Sequence, residues 1–160
     1  MELHTYCSED CPALLALFRD TVYTVCARDY SPAELAAWAG GAWDAAAWDQ
    51  SFRQHVTWVA REGPEIVGFG DLDAQAGYLD RLYVHARFQR QGIATALCDA
   101  LEAASVPPFV TTCVSRTALG FFLKRGYRIV ERQRVLRRGV SLENFHMEKL
   151  LAGPEGMEGT

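Results

Sequence analysis

Gln89-Arg90-Gln91-Gly92-Ile93-Ala94-Thr95 joins an extended segment to a helical one, and its reading decides the fold. Before it, Tyr78 to Val84 is a period-2 run that puts Tyr78, Asp80, Leu82 and Val84 on one face and Leu79, Arg81 and Tyr83 on the other. After it, Ile93, Leu97, Ala100, Leu101 and Ala104 recur at helical spacing, the stripe of a helix that packs on a sheet. A strand therefore feeds a helix N-terminus through the short polar loop His85 to Gln89. The first amides of a helix lack intrahelical partners and the dipole there is positive, so this turn favours an anion such as a pyrophosphate. Gly92 lets the backbone approach closely, Arg87 and Arg90 add cationic contacts, and Ala94 and Ala96 keep the turn free of bulk. Neither the P-loop nor the Rossmann glycine pattern occurs, which argues against a nucleoside triphosphate or a dinucleotide.

Outward from this turn the chain alternates clear start and stop signals. Glu2 to Tyr6 alternates as an edge strand, and Ser8 to Pro12 offers caps for a helix carrying Leu14, Leu15, Phe18, Val22 and Val25. Tyr30-Ser31-Pro32-Ala33-Glu34 is a capping box that starts a second helix, stopped by Gly40-Gly41, and Trp43 to about Gln54 reads as a third. Val56 to Ala60 and Ile66 to Leu72 are strands around the turn Arg61 to Glu65. Beyond the central helix, Pro107-Pro108 breaks the chain, Phe109 to Val114 is a β-branched strand, and Ala118 to Arg125 a helix closed by Gly126. Tyr127 to Leu136 and Val140 to Leu150 flank Arg137-Arg138-Gly139 as a last hairpin. The expectation is one α/β (α+β) domain over residues 1–151, with a mixed, mostly antiparallel sheet and a parallel βαβ core from Tyr78 to Val114, then a disordered tail over 152–160.

The 160 residues suffice for one domain, and 49% hydrophobic with 22% charged residues is an ordinary globular composition. A net charge of -4 gives no global attraction to nucleic acid or to an anionic membrane. No apolar run approaches the ~18 residues of a membrane span, and the N-terminus has no leader pattern, so a cytoplasmic protein is expected. Cys7, Cys11, Cys26, Cys98 and Cys113 are odd in number and contain no CxxC pair, which suggests neither a disulfide framework nor a zinc site.

Gln89-x-x-Gly92-x-Ala94, placed after a strand ending Leu82-Tyr83-Val84, resembles the acyl-CoA loop of the GCN5-related N-acetyltransferases. Leu79 through Ala94 runs against that family's pattern without a gap. Ser115-x-x-Ala118-x-x-Phe121-Phe122-x-x-x-Gly126-Tyr127 resembles its second landmark. Within the family, Tyr30-Ser31-Pro32, Trp38, Trp58-Val59-Ala60, Gly68-Phe69 and Asn144-Phe145-x-Met147 are similar to acetyltransferases of the YafP type, over about residues 2 to 149.

The resemblance implies a sheet splayed between the motif strand and Phe109 to Val114, with acetyl-CoA as donor in the gap and no metal. Leu82, Tyr83 and Val84 would flank the pantetheine arm, the backbone of Leu82 and Val84 pairing with it like an added strand. Gln89, Arg90, Gln91, Gly92, Ile93, Ala94 and Thr95 would hold the pyrophosphate. Ser115, Ala118, Phe121 and Phe122 would line the other side, and Lys124 or Arg125 would reach the 3′-phosphate. Asp80 is the candidate base for direct attack of an amine on the thioester, the alternative being a surface carboxylate paired with Arg81; a β-bulge in this strand would re-aim it. Two positions depart from the pattern. Ser115 replaces the usual asparagine, and Phe122 stands where many members carry a tyrosine that protonates the leaving thiolate; Tyr83, Tyr127 and His146 are the substitutes to consider.

The acceptor would be an amine of a small molecule or peptide, with Tyr30, Trp38 and Phe145 as candidate contacts, Trp43 and Trp48 as further aromatic wall, and Asp71 and Asp73 as acidic company for Asp80. The same aromatics also read as core. The Arg128 to Arg138 concentration reads as a solvated hairpin face, and no nucleic-acid or membrane partner is indicated. A homodimer is compatible with the sequence, and a non-catalytic acyl-CoA-binding module is the rival to an enzyme.

Overall fold

The computed structural model describes residues 1–152. Seven strands, β1 (Glu2–Thr5), β2 (Val56–Glu62), β3 (Glu65–Asp73), β4 (Tyr78–Val84), β5 (Phe109–Val114), β6 (Arg128–Arg137) and β7 (Val140–Leu150), form one sheet in the order β1-β2-β3-β4-β5-β7-β6. All neighbours are antiparallel except β4 and β5. The expected α/β class, strand set and parallel βαβ core are therefore observed. Of the tail expected over 152–160, residues 153–160 lie outside the described ones.

Helices α1 (Cys11–Val25), α2 (Pro32–Ala39) and α3 (Ala45–Gln54) cover one face of the sheet, and α4 (Ile93–Ala103) and α5 (Arg116–Lys124) the other. Their ends follow the expected chemistry. Ser31 accepts from the Glu34 amide while Glu34 reaches back to the Ser31 amide, and Asp44 caps α3 through the Ala47 amide. α5 begins at Arg116 instead of Ala118 because the Ser115 hydroxyl caps it, accepting from the Ala118 amide at 3.2 Å.

The first-face core gathers Leu14, Phe18, Val22, Phe52 and Phe69, and Phe18 sits against Trp43, Trp48 and Tyr83 at ring distances of 5.1–5.2 Å. On the other face Leu79, Leu101, Val110, Phe122, Tyr127, Phe145 and Met147 pack together, and Ile93 and Leu97 of α4 cover Val67 and Val84. α4 lies close to β3 because Gly68 and Gly70 lack side chains. A Cβ on Gly70 would stand 2.8 Å from the Leu101 Cδ1 and 3.0 Å from the Arg81 carbonyl oxygen.

Two irregularities shape the centre of the sheet. β4 and β5 pair only at Tyr78↔Thr111 and Leu79↔Thr112, so the strands part beyond that point. Across β3, Asp71 pairs with Arg81 but Leu72 with Leu79, which leaves Asp80 as the extra residue of a bulge. The bulge breaks the alternation read from sequence. Leu79 and Leu82 both turn to the α4 face, while Arg81 turns to α3 with its guanidinium carbon 4.7 Å from the Trp48 ring centre and 4.3 Å from that of Phe52.

Two substitutions probe this packing. Gly70→Ala is expected to destabilise the fold by about 1–3 kcal/mol, since it overpacks the α4 contact against backbone that cannot move aside. Gly120→Ala, in the interior of α5 with nothing within 4 Å of the new methyl, is expected to stabilise by about 0.5–1 kcal/mol. Ligand-free denaturant midpoints check both, and equal shifts in the same direction would contradict the packing described.

Candidate active site

The parting of β4 from β5 opens a cavity of about 610 Å³ that runs from the α1 side to the N-terminus of α4. That size suits a small-molecule or cofactor site. The backbone along its β4 wall is free to bond. His85 donates to the Val67 carbonyl, towards β3, so by alternation the amides and carbonyls of Leu82 and Val84 point the other way, into the gap. Val84 lends its carbonyl to the Gln89 side-chain amide, which draws the loop back onto the strand end.

At the mouth of the gap Gly92 is the N-cap of α4, with φ 82° in the left-handed region that costs glycine nothing. Arg90 also has positive φ, 61°. The first α4 backbone bond runs from the Ala96 amide to the Gly92 carbonyl, so the amides of Ile93, Ala94 and Thr95 are left for a ligand. A Cβ on Gly92 would meet nothing within 4 Å, and Gly92, Ile93, Ala94 and Thr95 all line the cavity. Arg90 and Lys124 line this end, whereas Arg125 is engaged by Asp99 at 2.6 Å and Glu102 at 2.7 Å. Arg90 and Lys124 are thus the nearby cations free of an ion pair among the described residues.

Asp80 lines the cavity, but not on the face expected. The bulge turns its carboxylate away from Leu82 and Val84 towards Arg81, His55 and Asp71; one oxygen stands 3.7 Å from the Arg81 guanidinium. Beneath it, Asp71 is wholly buried and accepts from Arg81 Nε at 3.0 Å and Nη2 at 2.5 Å, with His55 Nδ1 at 2.8 Å. Arg81 also donates to Ser51 at 2.6 Å. Burial, and then the neighbouring Asp71 charge, raise the pKa of Asp80 against the pull of Arg81 and His55. The hydrogen bond to Asp71 raises that of His55. Ligand atoms of His55, Asp71 and Asp80 lie within 4.8 Å of one another, but the Arg81 guanidinium already compensates the two carboxylates, so the cluster reads as an ion-pair network.

Of the remaining expected site residues, Leu82, Tyr83, Val84, Gln89, Ile93, Ala94, Thr95, Ser115, Ala118, Phe121, Phe122 and Trp38 line the cavity. Gln91 does not; it is exposed and its side chain bonds the Arg87 carbonyl. Tyr30 and Phe145, taken as acceptor contacts, are core instead. The Tyr30 hydroxyl donates to the Glu143 carbonyl and accepts from the Arg116 amide, and Phe145 is 3% exposed in the α5-side core. Trp43 and Trp48 are likewise packed around Phe18, and Asp71 and Asp73 are not free: the first is locked under Arg81, the second caps the turn at Ala76.

Among the substitutes considered for Phe122, Tyr127 is spent. Its hydroxyl donates to Glu102 at 2.8 Å, away from the cavity, and burial with that contact pushes its pKa up. His146 lies on β7 opposite Cys113 and does not line the cavity. Tyr83 does line it, and burial keeps it protonated. Sequence reasoning passed over Thr21, Val25, Cys26 and Arg28, which form the α1-side wall. The available signal was Thr21, a polar residue within the apolar stripe of α1.

The family model for the acetyltransferase (GNAT) domain matches residues 26–151. Escherichia coli YafP, described as an uncharacterized N-acetyltransferase, is 31% identical over 147 residues, covering 92% of this chain and 94% of its own. A GCN5-related N-acetyltransferase from Rhodopseudomonas palustris superimposes with a TM-score of 0.86 at 32% identity, over 94% of this chain and 95% of that one. The PaiA N-acetyltransferase of Thermoplasma acidophilum, crystallised with coenzyme A, shares the fold at a TM-score of 0.74 and 18% identity, over 93% and 98% of the two chains. Matched along most of its length in sequence and in structure, this chain belongs to the GNAT family of acetyltransferases.

Proposed function

We propose that the protein moves the acetyl group of acetyl-CoA to an amine of a small molecule or peptide, by direct attack with Asp80 as general base. The observation that carries this reading is the gap itself, which has unpaired β4 backbone along one wall, open helix-terminal amides at one end and a carboxylate of raised pKa beside it. Leu82 and Val84 offer the pantetheine arm the hydrogen bonds that β5 does not take. The amides of Ile93, Ala94 and Thr95 take the pyrophosphate, and Arg90 and Lys124 add charge.

An acceptor arriving as an ammonium gives one proton to Asp80 and becomes nucleophilic. Its nitrogen then attacks the thioester carbon, and the amide of Leu82, which faces the gap, donates to the developing oxyanion. Collapse breaks the C–S bond. The second amine proton leaves with the thiolate, whose ordinary pKa of about 8.5 makes it a competent leaving group without a tyrosine at Phe122. Asp80 returns its proton to solvent.

Asp80→Asn is expected to lower turnover by roughly 10²–10⁴-fold while acetyl-CoA still raises the unfolding midpoint. A variant that turns over normally would remove Asp80 from the reaction. Because the active form is the carboxylate and its pKa is raised, kcat/KM should fall as pH drops through a midpoint above the ~3.9 of a free aspartate. This limb should be absent from the residual rate of Asp80→Asn. For the donor, acetyl-CoA and CoA at 100 times Kd should each add about 2.7 kcal/mol of stability, with no effect of ATP. Gly92→Val, forced into the left-handed region at a cost of order 1–3 kcal/mol, should weaken acetyl-CoA about tenfold. Unchanged affinity would exclude the α4 N-terminus as the pyrophosphate site.

A further inference from the structure

Arg28, in the 3-10 turn that follows α1, lines the same cavity but from the sheet face opposite α4. Like Arg90 and Lys124 at the α4 end, it is an uncompensated cation of this cavity, but it is the one on the α1 side. Arg81 is held by Asp71, Arg116 by Glu34 and Glu143, and Arg125 by Asp99 and Glu102, whereas Arg28 has no ion pair among the described residues. Its neighbour Asp29 makes no ion pair with it and instead accepts from the Thr117 hydroxyl at 2.7 Å. Arg28 is also surplus to the cofactor, whose phosphates have the α4 amides, Arg90 and Lys124 at the other end.

A second, independent feature sits on the same wall. Thr21 is 4% exposed and lines the cavity, and its hydroxyl has no hydrogen-bond partner. A buried hydroxyl left unpaired is costly, and the cost disappears when a polar ligand enters. With Arg81 committed to Asp71, and Arg90 and Lys124 at the α4 end, Asp80 and Arg28 supply the opposite charges on the α1 side, while Val25 and Trp38 contribute apolar surface. A simple amine would use Asp80 and leave both Arg28 and Thr21 unanswered.

We propose that the acceptor is an aminocarboxylate of the α-amino-acid kind. Its ammonium is directed to Asp80, its carboxylate is held by Arg28 with the Thr21 hydroxyl available to the polar end, and its apolar body rests on Val25 and Trp38. This rests on the acetyltransferase reading above. A charge-assisted contact that only the carboxylated acceptor makes corresponds to roughly ten- to a hundredfold in affinity.

The test is acetyl-CoA-dependent thiol release with the standard amino acids, each paired with the amine lacking its carboxylate, on wild type and Arg28→Met. The expected result is a preference of at least about tenfold in kcat/KM for aminocarboxylates, lost in Arg28→Met mainly through KM. Acetyl-CoA should raise the unfolding midpoint of the variant as it does that of wild type. In parallel, N-acetylated amino acids and the matching N-acetylated amines are titrated into the CoA-loaded protein by calorimetry, a readout that needs no turnover. Binding of the carboxylated products to wild type but not to Arg28→Met supports the proposal even where turnover is absent, in which case the catalytic reading alone fails. Equal use or binding of the decarboxylated partners, a preference that survives Arg28→Met, or no binding of any carboxylated product overturns it. So does weaker acetyl-CoA binding by Arg28→Met, which would assign Arg28 to the cofactor.

Discussion

The buried carboxylate of Asp71 is the constraint on which the centre of this molecule depends. A charge with no exposed surface needs full compensation, and Asp71 receives it from both nitrogens of the Arg81 fork and from His55. Arg81 reaches it as its direct cross-strand partner, and just past that pair β4 carries one residue more than β3. The extra residue is Asp80, whose carboxylate is thereby tipped onto the same network. A bulge also increases the local twist of its strand. The bulge lies directly after the last β4–β5 pair, Leu79 with Thr112, so the irregularity beside the ion pair coincides with the start of the gap.

Function then follows from what the sheet leaves undone. Beyond Leu79 the inner edge of β4 has hydrogen-bonding groups without a strand to meet them, and α4 begins with amides that have no turn beneath them. Both deficits open into one cavity, where an extended amide-containing arm with a phosphate end satisfies them together. The helices on the two faces contribute different walls: α4 and α5 frame the end that carries the free α4 amides, while α1, the turn after it and α2 close the opposite side with Thr21, Arg28 and Trp38.

Much of this was legible in the sequence because it rests on local chemistry. The Ser31–Glu34 capping box, the glycine at 92 and the period-2 run of Tyr78 to Val84 each specify backbone conformation within a few residues, and the strands and helices follow them closely. What was not legible depends on pairing across the chain. Alternation placed Asp80 with Leu82 and Val84, and only the register against Asp71 and Leu72 shows that one residue is extra. Tyr30 and Phe145 could not be told from pocket walls, since an aromatic ring is equally at home in either place; their burial against Arg116 and the α5-side core decides it. Arg28 gave no signal at all, because a lone arginine in a short turn is ordinary until its neighbours' carboxylates are found committed elsewhere.

The two β4–β5 pairs have a mechanical meaning as well. The half-sheet β1-β2-β3-β4 and the half-sheet β5-β7-β6 share only Tyr78↔Thr111 and Leu79↔Thr112. Together with the Thr112 hydroxyl bond to the Leu79 carbonyl, these pairs make a hinge pin at one end of the seam. Opposite the pin no backbone ladder joins the strands; the ties there run from the α1 and α2 side to α5 and β7, through the Tyr30 hydroxyl to the Arg116 amide and the Glu143 carbonyl and from the Thr117 hydroxyl to Asp29. A ligand lying along the seam would span both halves like a spline, supplying the join that the strands themselves leave out.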